Sequence, residues 1–178
     1  MRIIAGSRKG HTIHAPKGLD TRPTSDRTRE AAFNLVGPLG GARVLDLYAG
    51  SGAMGLEALS RGAMQAVFID SDRNACRAIE RNLDRLRLGG AVVMCDDAAR
   101  ALTADAAAGR RYDVILVDPP YRLFSTVEPV LARYLPAVLA EDGIVIVETS
   151  EREEPELPMA KRTSRRYGSA RLTVFESS

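Results

Sequence analysis

Five short apolar runs alternate with segments of helical spacing along the middle of this 178-residue chain. This alternation constrains the fold more than any other feature. The runs contain few polar residues, which is typical of parallel strands that are buried on both faces of a sheet. Strands separated by helices predict an α/β protein with a mostly parallel sheet and helices on both faces. The strands are predicted at 43–47, 66–69, 91–95, 113–117 and 143–147, and the helices at 53–61, 72–87, 97–108 and 125–139.

Both ends of the chain depart from this pattern. Residues 159–166 and 170–175 flank Tyr167-Gly168 and predict a C-terminal antiparallel hairpin, which brings the sheet to seven strands. At the other end, residues 2–5 and 12–15 predict a short N-terminal hairpin.

A helix is predicted to follow that hairpin, beginning near Asp26 and capped by Ser25 or Asp26 itself. The chain is therefore expected to divide into two parts. Residues 1–36 would form a basic extension with a helix that covers the functional site, and residues 37–178 would form the main domain.

The composition is that of a soluble globular domain. Hydrophobic residues make up 45% of the chain and charged residues 27%, which is ordinary. No apolar stretch approaches the roughly 20 residues needed to cross a bilayer, and no secretory signal is visible. Two cysteines, Cys76 and Cys95, make a poor disulfide framework and a poor zinc site. We expect a cytoplasmic monomer without a membrane contact or a bound metal.

The net charge of +2 hides an uneven distribution along the chain. Residues 1–30 have seven Lys and Arg against three Asp and Glu, whereas residues 31–150 have twelve against fifteen. In residues 151–178 a run of glutamates is followed by a basic run, with a balance of +1. Basic ends around an acidic middle favour a polyanionic partner such as nucleic acid, although a solvated charged surface is the simpler alternative.

A strand, a glycine-rich loop and a helix start at residues 44–55 form the most informative motif. Gly50, Gly52 and Gly55 satisfy G-x-G-x-x-G, and Asp70 follows Gly50 by twenty residues at the end of the next strand. Glycines permit a tight turn and a close approach of a ligand to the backbone, and the acidic residue suits a ribose. Alone, the motif is a weak indication of a dinucleotide site.

Asp46, four residues before the first glycine, argues against a dinucleotide. Its carboxylate would repel a pyrophosphate at the N-terminus of the following helix. S-adenosylmethionine fits better, because it has an ammonium group, a sulfonium and a ribose diol but no phosphate. Asp46 and the glycine loop would hold the methionine part and Asp70 the ribose, while Asp97 would lie near the adenine. Asp97 could also cap the helix at 97–108, and the two roles are compatible.

The turn Asp118-Pro119-Pro120-Tyr121 directly follows the fourth strand. In an open parallel sheet, ligands bind beyond the carboxyl ends of the strands, at the point where the strand order reverses. The turn and the glycine loop should therefore face each other across one crevice.

The residue types of this turn suit the methylation of an exocyclic amine on a nucleobase. Such an amine is a poor nucleophile because its lone pair is delocalised into the ring. The Asp118 carboxylate and the Pro119 carbonyl could accept hydrogen bonds from the amine, orienting its lone pair and stabilising the developing charge. Tyr121 offers a face on which a flipped or loop-exposed base could stack.

These motifs together resemble a known family. Residues 46–52 (DLYAGSG) with 118–121 (DPPY) look like the class I, amino-methylating S-adenosylmethionine-dependent methyltransferases. The N-terminal MRIIAG with Lys9-Gly10, the stretch 22–30 (RPTSDRTRE) with Phe33-Asn34, and Tyr167-Gly168 resemble the RsmD family more specifically. The resemblance covers essentially the whole chain.

The resemblance implies a Rossmann-like class I methyltransferase fold and methylation of the N2 amine of one guanine in 16S ribosomal RNA. It implies S-adenosyl-L-methionine as cofactor and 16S rRNA, within an assembling small ribosomal subunit, as partner. The implied catalytic residues are Asp118, Pro119, Pro120 and Tyr121, and the implied cofactor-binding residues are Asp46, Tyr48, Ala49, Gly50, Ser51, Gly52, Asp70, Asp97 and Ala98. The basic residues expected to line the rim of the crevice and contact RNA are Arg8, Lys9, Arg22, Arg27, Arg29, Lys161, Arg162, Arg165 and Arg166.

Two positions depart from the usual pattern of this family. A glutamate is common where this chain has Asp70, so the ribose contact could pass through water or shift to Asp72. Asp96 precedes Asp97 directly, so either carboxylate could meet the adenine.

Three other functions stay open at this point. A DNA adenine-N6 or cytosine-N4 methyltransferase would share the DPPY turn, although this chain leaves little room for a target-recognition region. An NAD-linked oxidoreductase is supported by the three glycines alone. An RNA-binding assembly factor with an inactive site is disfavoured because Asp118 and Tyr121 are present.

Overall fold

The structure, a computed structural model, describes residues 1–18 and 24–178. It confirms the predicted α/β architecture with one seven-stranded sheet in the order β3-β2-β1-β4-β5-β7-β6. The first five strands pair in parallel, and β7 pairs antiparallel with both β5 and β6. The strands are β1 Arg43–Leu47, β2 Gln65–Asp70, β3 Ala91–Cys95, β4 Tyr112–Val117, β5 Leu139–Ser150, β6 Ala160–Tyr167 and β7 Ala170–Glu176.

Five α-helices accompany the sheet in the described part of the chain. The predicted helices are confirmed with ends that differ by one or two residues, and Ser25 rather than Asp26 caps the first one. A short 3₁₀ turn, Tyr121–Leu123, precedes the last helix. The helices are α1 Asp26–Val36, α2 Ala53–Ser60, α3 Arg73–Leu86, α4 Ala98–Ala107 and α5 Phe124–Val138.

The fifth strand is longer than the sequence pattern predicts. The apolar run ends at Val147, but β5 continues to Ser150. The extension includes the charged residue Glu148, which an apolar pattern excludes. It is stabilised from the side, because β7 pairs with β5 from Ile144 through Ser150.

Alternate residues along the strands pack into two separate hydrophobic layers. On one face, Val44, Phe68 and Leu116 pack with residues from α1, α2 and α3. On the other face, Leu45 and Val117 pack with α4 and α5. Because strand side chains alternate between faces, each residue near the carboxyl end of a strand lies on the same face as one of these two layers.

The N-terminal segment, of which the structure describes residues 1–18 and 24–36, is attached to α2 by a buried glutamate. Glu57 has no exposed surface and accepts hydrogen bonds from the backbone N–H groups of Ile4 and Ala5, at 2.8 and 2.9 Å. It also accepts one from Arg61 Nε, at 2.9 Å. The predicted N-terminal hairpin is present as a single bridge between Arg2 and Thr12.

This segment shares a hydrophobic layer with the main sheet. Ile3, Ile13 and Phe33 are buried against the same cluster as the strand residues. The division of the chain into parts 1–36 and 37–178 therefore stays a prediction. In the part of the chain that the structure describes, no helix is both long and apolar enough to cross a membrane.

We expect Glu57→Ala to lower the free energy of unfolding by about 3 kcal/mol, because it leaves two backbone donors and the Arg61 guanidinium without their acceptor. Urea denaturation followed by circular dichroism measures this loss. The matched control is Glu80→Ala on the exposed face of α3, which should stay within about 0.5 kcal/mol of the wild type. Equal effects of the two variants would contradict the fastening role of Glu57.

Candidate active site

Four carboxylates lie on one face of the sheet at the carboxyl ends of its parallel strands. Asp46 in β1, Asp70 in β2 and Glu148 in β5 each lie two residues after a member of the first hydrophobic layer, and therefore on the same face as that layer. Asp118 directly follows β4 and continues the same alternation. The strand order reverses between β1 and β4, and such a switch point is where open α/β sheets bind ligands.

The glycine loop after β1 folds as a tight turn into α2. Tyr48 and Gly50 have positive φ angles of 59° and 57°, and Gly52 caps α2 with a φ of 80°. A Cβ added at Gly50 would meet no atom within 4 Å, so this part of the loop faces open space. A Cβ at Gly55 would overlap the Phe68 ring. The third glycine therefore permits close packing of α2 on the sheet, and the first leaves room for a ligand.

Asp46 is the most deeply buried of the four carboxylates. Its Oδ2 accepts a hydrogen bond from the Gly55 N–H in the first turn of α2, at 2.9 Å. Burial raises the pKa of Asp46 from 3.8 to about 8, the Gly55 bond opposes this rise, and the nearby Asp70 adds to it. A buried acid of this kind is stabilised in its ionised form by a cation placed beside it.

Asp70 connects the ends of β2 and the glycine loop. One carboxylate oxygen accepts from the Gly50 N–H at 2.8 Å, and the other accepts from the Asp72 N–H at 2.9 Å. Asp72 itself caps α3 by accepting from the Asn74 N–H. Asp70 thus lies at the end of β2 beside the glycine loop, whereas the carboxylate of Asp72, the alternative, is engaged in the helix cap. The ribose contact stays a prediction.

The predicted adenine side is formed by the start of α4. Asp97 is exposed and caps this helix through a 3.1 Å bond from the Arg100 N–H, while Ala98 is buried behind it. Asp96 accepts from the Asp97 N–H and lies 3.7 Å from Arg100 Nε. Burial raises the pKa of Tyr48 to about 12, and the charge of Asp97 adds to this rise. The structure therefore brings Tyr48 and Asp97 together at one edge of the crevice.

Two other predicted cofactor residues are held by backbone bonds. The Ala49 N–H donates to the Ile69 carbonyl at 3.0 Å, and the Ser51 carbonyl accepts from the Asn82 side chain at 3.1 Å. The same Asn82 side chain also bonds the backbone of His14. The loop, α3 and the N-terminal segment are therefore locked together.

A polar network surrounds the Asp118 turn. The Thr24 hydroxyl lies 2.9 Å from Asp118 Oδ2 and 3.2 Å from Glu148 Oε2. The Tyr121 hydroxyl donates to Glu148 Oε1 at 3.1 Å. Pro119 is buried and Pro120 is half-buried. The network thus links the turn, the end of β5 and Thr24, which lies two residues before the start of α1.

Asp118 and Glu148 share one partly buried network, and the charge of Glu148 affects the ionisation of Asp118. Burial raises the pKa of Asp118 well above 3.8, and the charge of Glu148 raises it further. The hydrogen bond from Thr24 opposes these effects, and the charge of Asp46 adds to them. The site as a whole therefore favours cationic and hydrogen-bond-donating ligands.

The structure corrects the prediction that Arg29 contacts RNA. Arg29 has no exposed surface, so its guanidinium cannot reach a phosphate. The side chain instead donates to the Arg2 carbonyl and lies 2.9 Å from Asp26 Oδ1. Burial lowers its pKa, which the charges of Glu57 and Asp26 oppose.

Other basic residues of the N-terminal segment differ in whether their side chains are exposed or bonded within the protein. The guanidinium of Arg8 donates to the carbonyls of Leu86 and Arg87 at the end of α3, so it has a structural partner. Lys9 and Arg27 are exposed. Arg22 lies outside the described residues.

The four basic residues of β6 do not all lie near the crevice, contrary to the sequence prediction. Arg165 lies level with Glu148, because both are in register with Leu172 of β7, and Arg166 is the next residue toward the hairpin. Lys161 and Arg162 lie toward the opposite end of the strand. There Lys161 bonds Glu154 and Glu156 at 3.2 and 3.3 Å, and Arg162 pairs with Glu176 at 3.5 Å.

Sequence reasoning missed Thr24 and Glu148 as members of the site. Glu148 had an available signal, because it directly follows an apolar run in the way that Asp118 does. Thr24 belongs to the stretch 22–30 that the family resemblance singles out, but its contact with Asp118, 94 residues away in sequence, is found only in the folded chain.

A family model described as "Conserved hypothetical protein 95" matches residues 1–176. The chain is 41% identical over 162 residues to YlbH of Bacillus subtilis, a proposed rRNA methyltransferase, with 89% of this chain and 86% of that protein covered. It is 37% identical over 160 residues to ribosomal RNA small subunit methyltransferase D of Escherichia coli, with 89% and 79% covered.

A solved structure, the proposed methyltransferase yhhF from Escherichia coli, matches with a TM-score of 0.85 and 31% identity over 100% of this chain and 98% of that one. The predicted Rossmann-like class I methyltransferase fold is therefore confirmed. Because the family model spans almost the whole chain and both relatives cover most of it, this chain belongs to the RsmD family of methyltransferases.

Proposed function

We propose that this protein transfers a methyl group from S-adenosyl-L-methionine to the N2 amine of one guanine in 16S ribosomal RNA. The observation that supports this most directly is the partly buried network of Asp118, Tyr121, Thr24 and Glu148 at the switch point of the sheet. The relatives that act on small-subunit rRNA by name support the class of substrate. The protein would act in the cytoplasm as a monomer on an assembling small subunit.

The donor set of the crevice fits this cofactor. S-adenosylmethionine supplies an electrophilic methyl group on a positively charged sulfonium. Asp46 and the backbone of Gly50 and Gly52 would hold the methionine end, because a buried carboxylate of raised pKa is paired best by an ammonium group. Asp70 would accept from the ribose. Tyr48 and Ala98, with Asp97 rather than the ion-paired Asp96, would border the adenine.

The Asp118 turn would act on the target base. The Asp118 carboxylate and the Pro119 carbonyl accept hydrogen bonds from the two amine N–H groups, which orients the amine lone pair and stabilises the charge that develops on nitrogen. Pro120 restricts the backbone so that these acceptors are preorganised. The Tyr121 ring, half-buried beside the turn, provides a stacking face for a base that has left its helix.

Lys9, Arg27, Arg165 and Arg166 are exposed and remain candidates to hold RNA phosphates. Arg165 is the best placed, because it lies level with Glu148. The shape of a structured RNA or ribonucleoprotein would provide much of the specificity.

A DNA amine methyltransferase is the second candidate, because it would use the same turn. The similarity to an enzyme named for small-subunit rRNA favours RNA. An NAD-linked oxidoreductase is disfavoured because the relatives that match most of the chain are named as methyltransferases.

The first test is tritium transfer from labelled S-adenosylmethionine to small-subunit particles that lack the modification. We expect label in N2-methylguanosine after digestion to nucleosides, and less transfer to a short unstructured oligonucleotide of the same sequence. Label in N6-methyladenosine or N4-methylcytosine, or transfer to duplex DNA alone, would contradict the proposal.

Asp118→Ala should reduce the single-turnover rate by at least about 100-fold, because it removes an acceptor that stabilises developing charge. The affinity for S-adenosylmethionine, measured by calorimetry, should change much less. Asp84→Asn, on the exposed side of α3, is the matched control and should keep full activity. A fully active Asp118→Ala enzyme would show that the turn is not catalytic.

Cofactor binding should strengthen as pH rises from 6.0 to 7.5, by up to about tenfold per pH unit, because Asp46 must ionise to pair with the ammonium group. Calorimetry at several pH values measures this, and methylthioadenosine, which lacks the ammonium group, is the control ligand. Its affinity should not follow pH in this way. A pH-independent affinity for S-adenosylmethionine would contradict the pairing.

The same raised pKa predicts how Asp46→Asn changes stability. In the folded protein Asp46 stays protonated up to a pH of about 8, whereas in the unfolded chain it ionises near 3.8. The stability of the cofactor-free protein should therefore fall as pH rises between these values. Asp46→Asn should remove this fall and be more stable than the wild type at pH 7.5 by at least about 1 kcal/mol, as measured by urea denaturation. An unchanged stability profile would show that Asp46 titrates normally.

A further inference from the structure

Glu148 lies in the active-site network without a role in the chemistry described above. It is 8% exposed, lies on β5 beside the Asp118 turn of β4, and is on the same face of the sheet as Asp118. Its two oxygens accept from the Thr24 hydroxyl at 3.2 Å and from the Tyr121 hydroxyl at 3.1 Å. Tyr121 and Thr24 therefore hold the Glu148 carboxylate beside the position where the target base would stack.

We propose that Glu148 determines the choice of guanine, by accepting a hydrogen bond from the ring N1–H while Asp118 accepts from the neighbouring N2 amine. This assignment rests on the proposed function and adds the residue that distinguishes one base from the others.

The chemistry of the base edges supports this assignment. Guanine presents two adjacent donors, the exocyclic N2 amine and the ring N1–H. Adenine presents an N6 amine beside an N1 acceptor, and cytosine presents an N4 amine beside an N3 acceptor. A second carboxylate next to Asp118 accepts a hydrogen bond from a donor but repels the lone pair of an acceptor. One carboxylate would suit any of the three amines, whereas two adjacent carboxylates suit guanine.

The contacts of Thr24 place the two carboxylates close together. Its hydroxyl lies 2.9 Å from Asp118 Oδ2 and 3.2 Å from Glu148 Oε2, so one oxygen of each carboxylate faces the same hydroxyl. The edge of guanine has three N–H bonds on two neighbouring nitrogens, so it can donate to both carboxylates at once.

A purely structural role for Glu148, as a support for Tyr121 and Thr24, makes a different prediction. Loss of that support would slow the methylation of every base by the same factor. Loss of a selective acceptor would instead change the ratio between a base that has the N1–H and a base that lacks it. The experiment must therefore measure a ratio of kcat/KM values.

The probe is 2-aminopurine, which has the same exocyclic amine as guanine but an unprotonated ring N1. Small-subunit particles are reconstituted with rRNA in which the guanine methylated by the wild type is replaced by 2-aminopurine. The full-length wild type, Glu148→Gln and Glu141→Gln are compared for kcat/KM on both particles. Glu141→Gln is the matched control, since it lies on the same strand but is exposed at the other end.

We expect the wild type to prefer guanine by about 100-fold or more. In Glu148→Gln this preference should shrink at least tenfold, because the glutamine amide can donate to the unprotonated N1. Glu141→Gln should keep the wild-type ratio. An unchanged ratio in Glu148→Gln would overturn the assignment while leaving the proposed function intact.

Two other outcomes would also overturn the assignment. The first is a wild type that methylates 2-aminopurine as efficiently as guanine. Because this measurement needs no variant, it tests the assignment even if the Glu148→Gln protein does not fold. A wild type that methylates no guanine in the particle overturns the proposed function and this assignment with it.

Discussion

The repulsion among buried and half-buried carboxylates at one edge of the sheet is the constraint on which the rest of the site depends. Asp46, Asp70, Asp118 and Glu148 lie on one face at the carboxyl ends of parallel strands. Burial and mutual charge raise the pKa values of Asp46 and Asp118. The fold tolerates this cost through backbone N–H groups, such as those of Gly50 and Gly55, and through the Thr24 hydroxyl. A cationic cofactor and a base edge rich in donors would relieve the remaining repulsion.

Some basic residues of the N-terminal segment stabilise the fold and are therefore not available to bind a partner. Arg29 is buried beside Asp26, and Arg8 bonds the end of α3. Glu57 fastens the backbone of the same segment to α2. The positive balance of residues 1–30 therefore overstates the charge that is free to meet RNA. The segment also places Thr24 beside Asp118, so its attachment to the sheet and the geometry of the candidate site are connected.

Much of the fold could be predicted because its signals are local. The apolar runs located the five parallel strands, and the glycine loop with the DPPY turn located the two sides of the crevice. The exceptions have a common cause, which is the pairing of strands that are far apart in the sequence. β5 extends past its apolar run because β7 pairs with it, and Glu148 was missed together with that extension. Lys161 and Arg162 were expected at the crevice rim, but the direction of β6 points them away from it.

The sequence by itself determined the α/β class, the family and the residues of the glycine loop and the DPPY turn, because these depend on short spacings and on residue type. The tertiary structure decided which charges face one another. Only the register of β5 with β4 and β7 brings Glu148 level with Asp118 and Arg165. Only the packing of residues 24–36 buries Arg29 and places Thr24 between two carboxylates. The physical reason is that contacts between residues far apart in the chain depend on how the strands pair and pack, which no local pattern records.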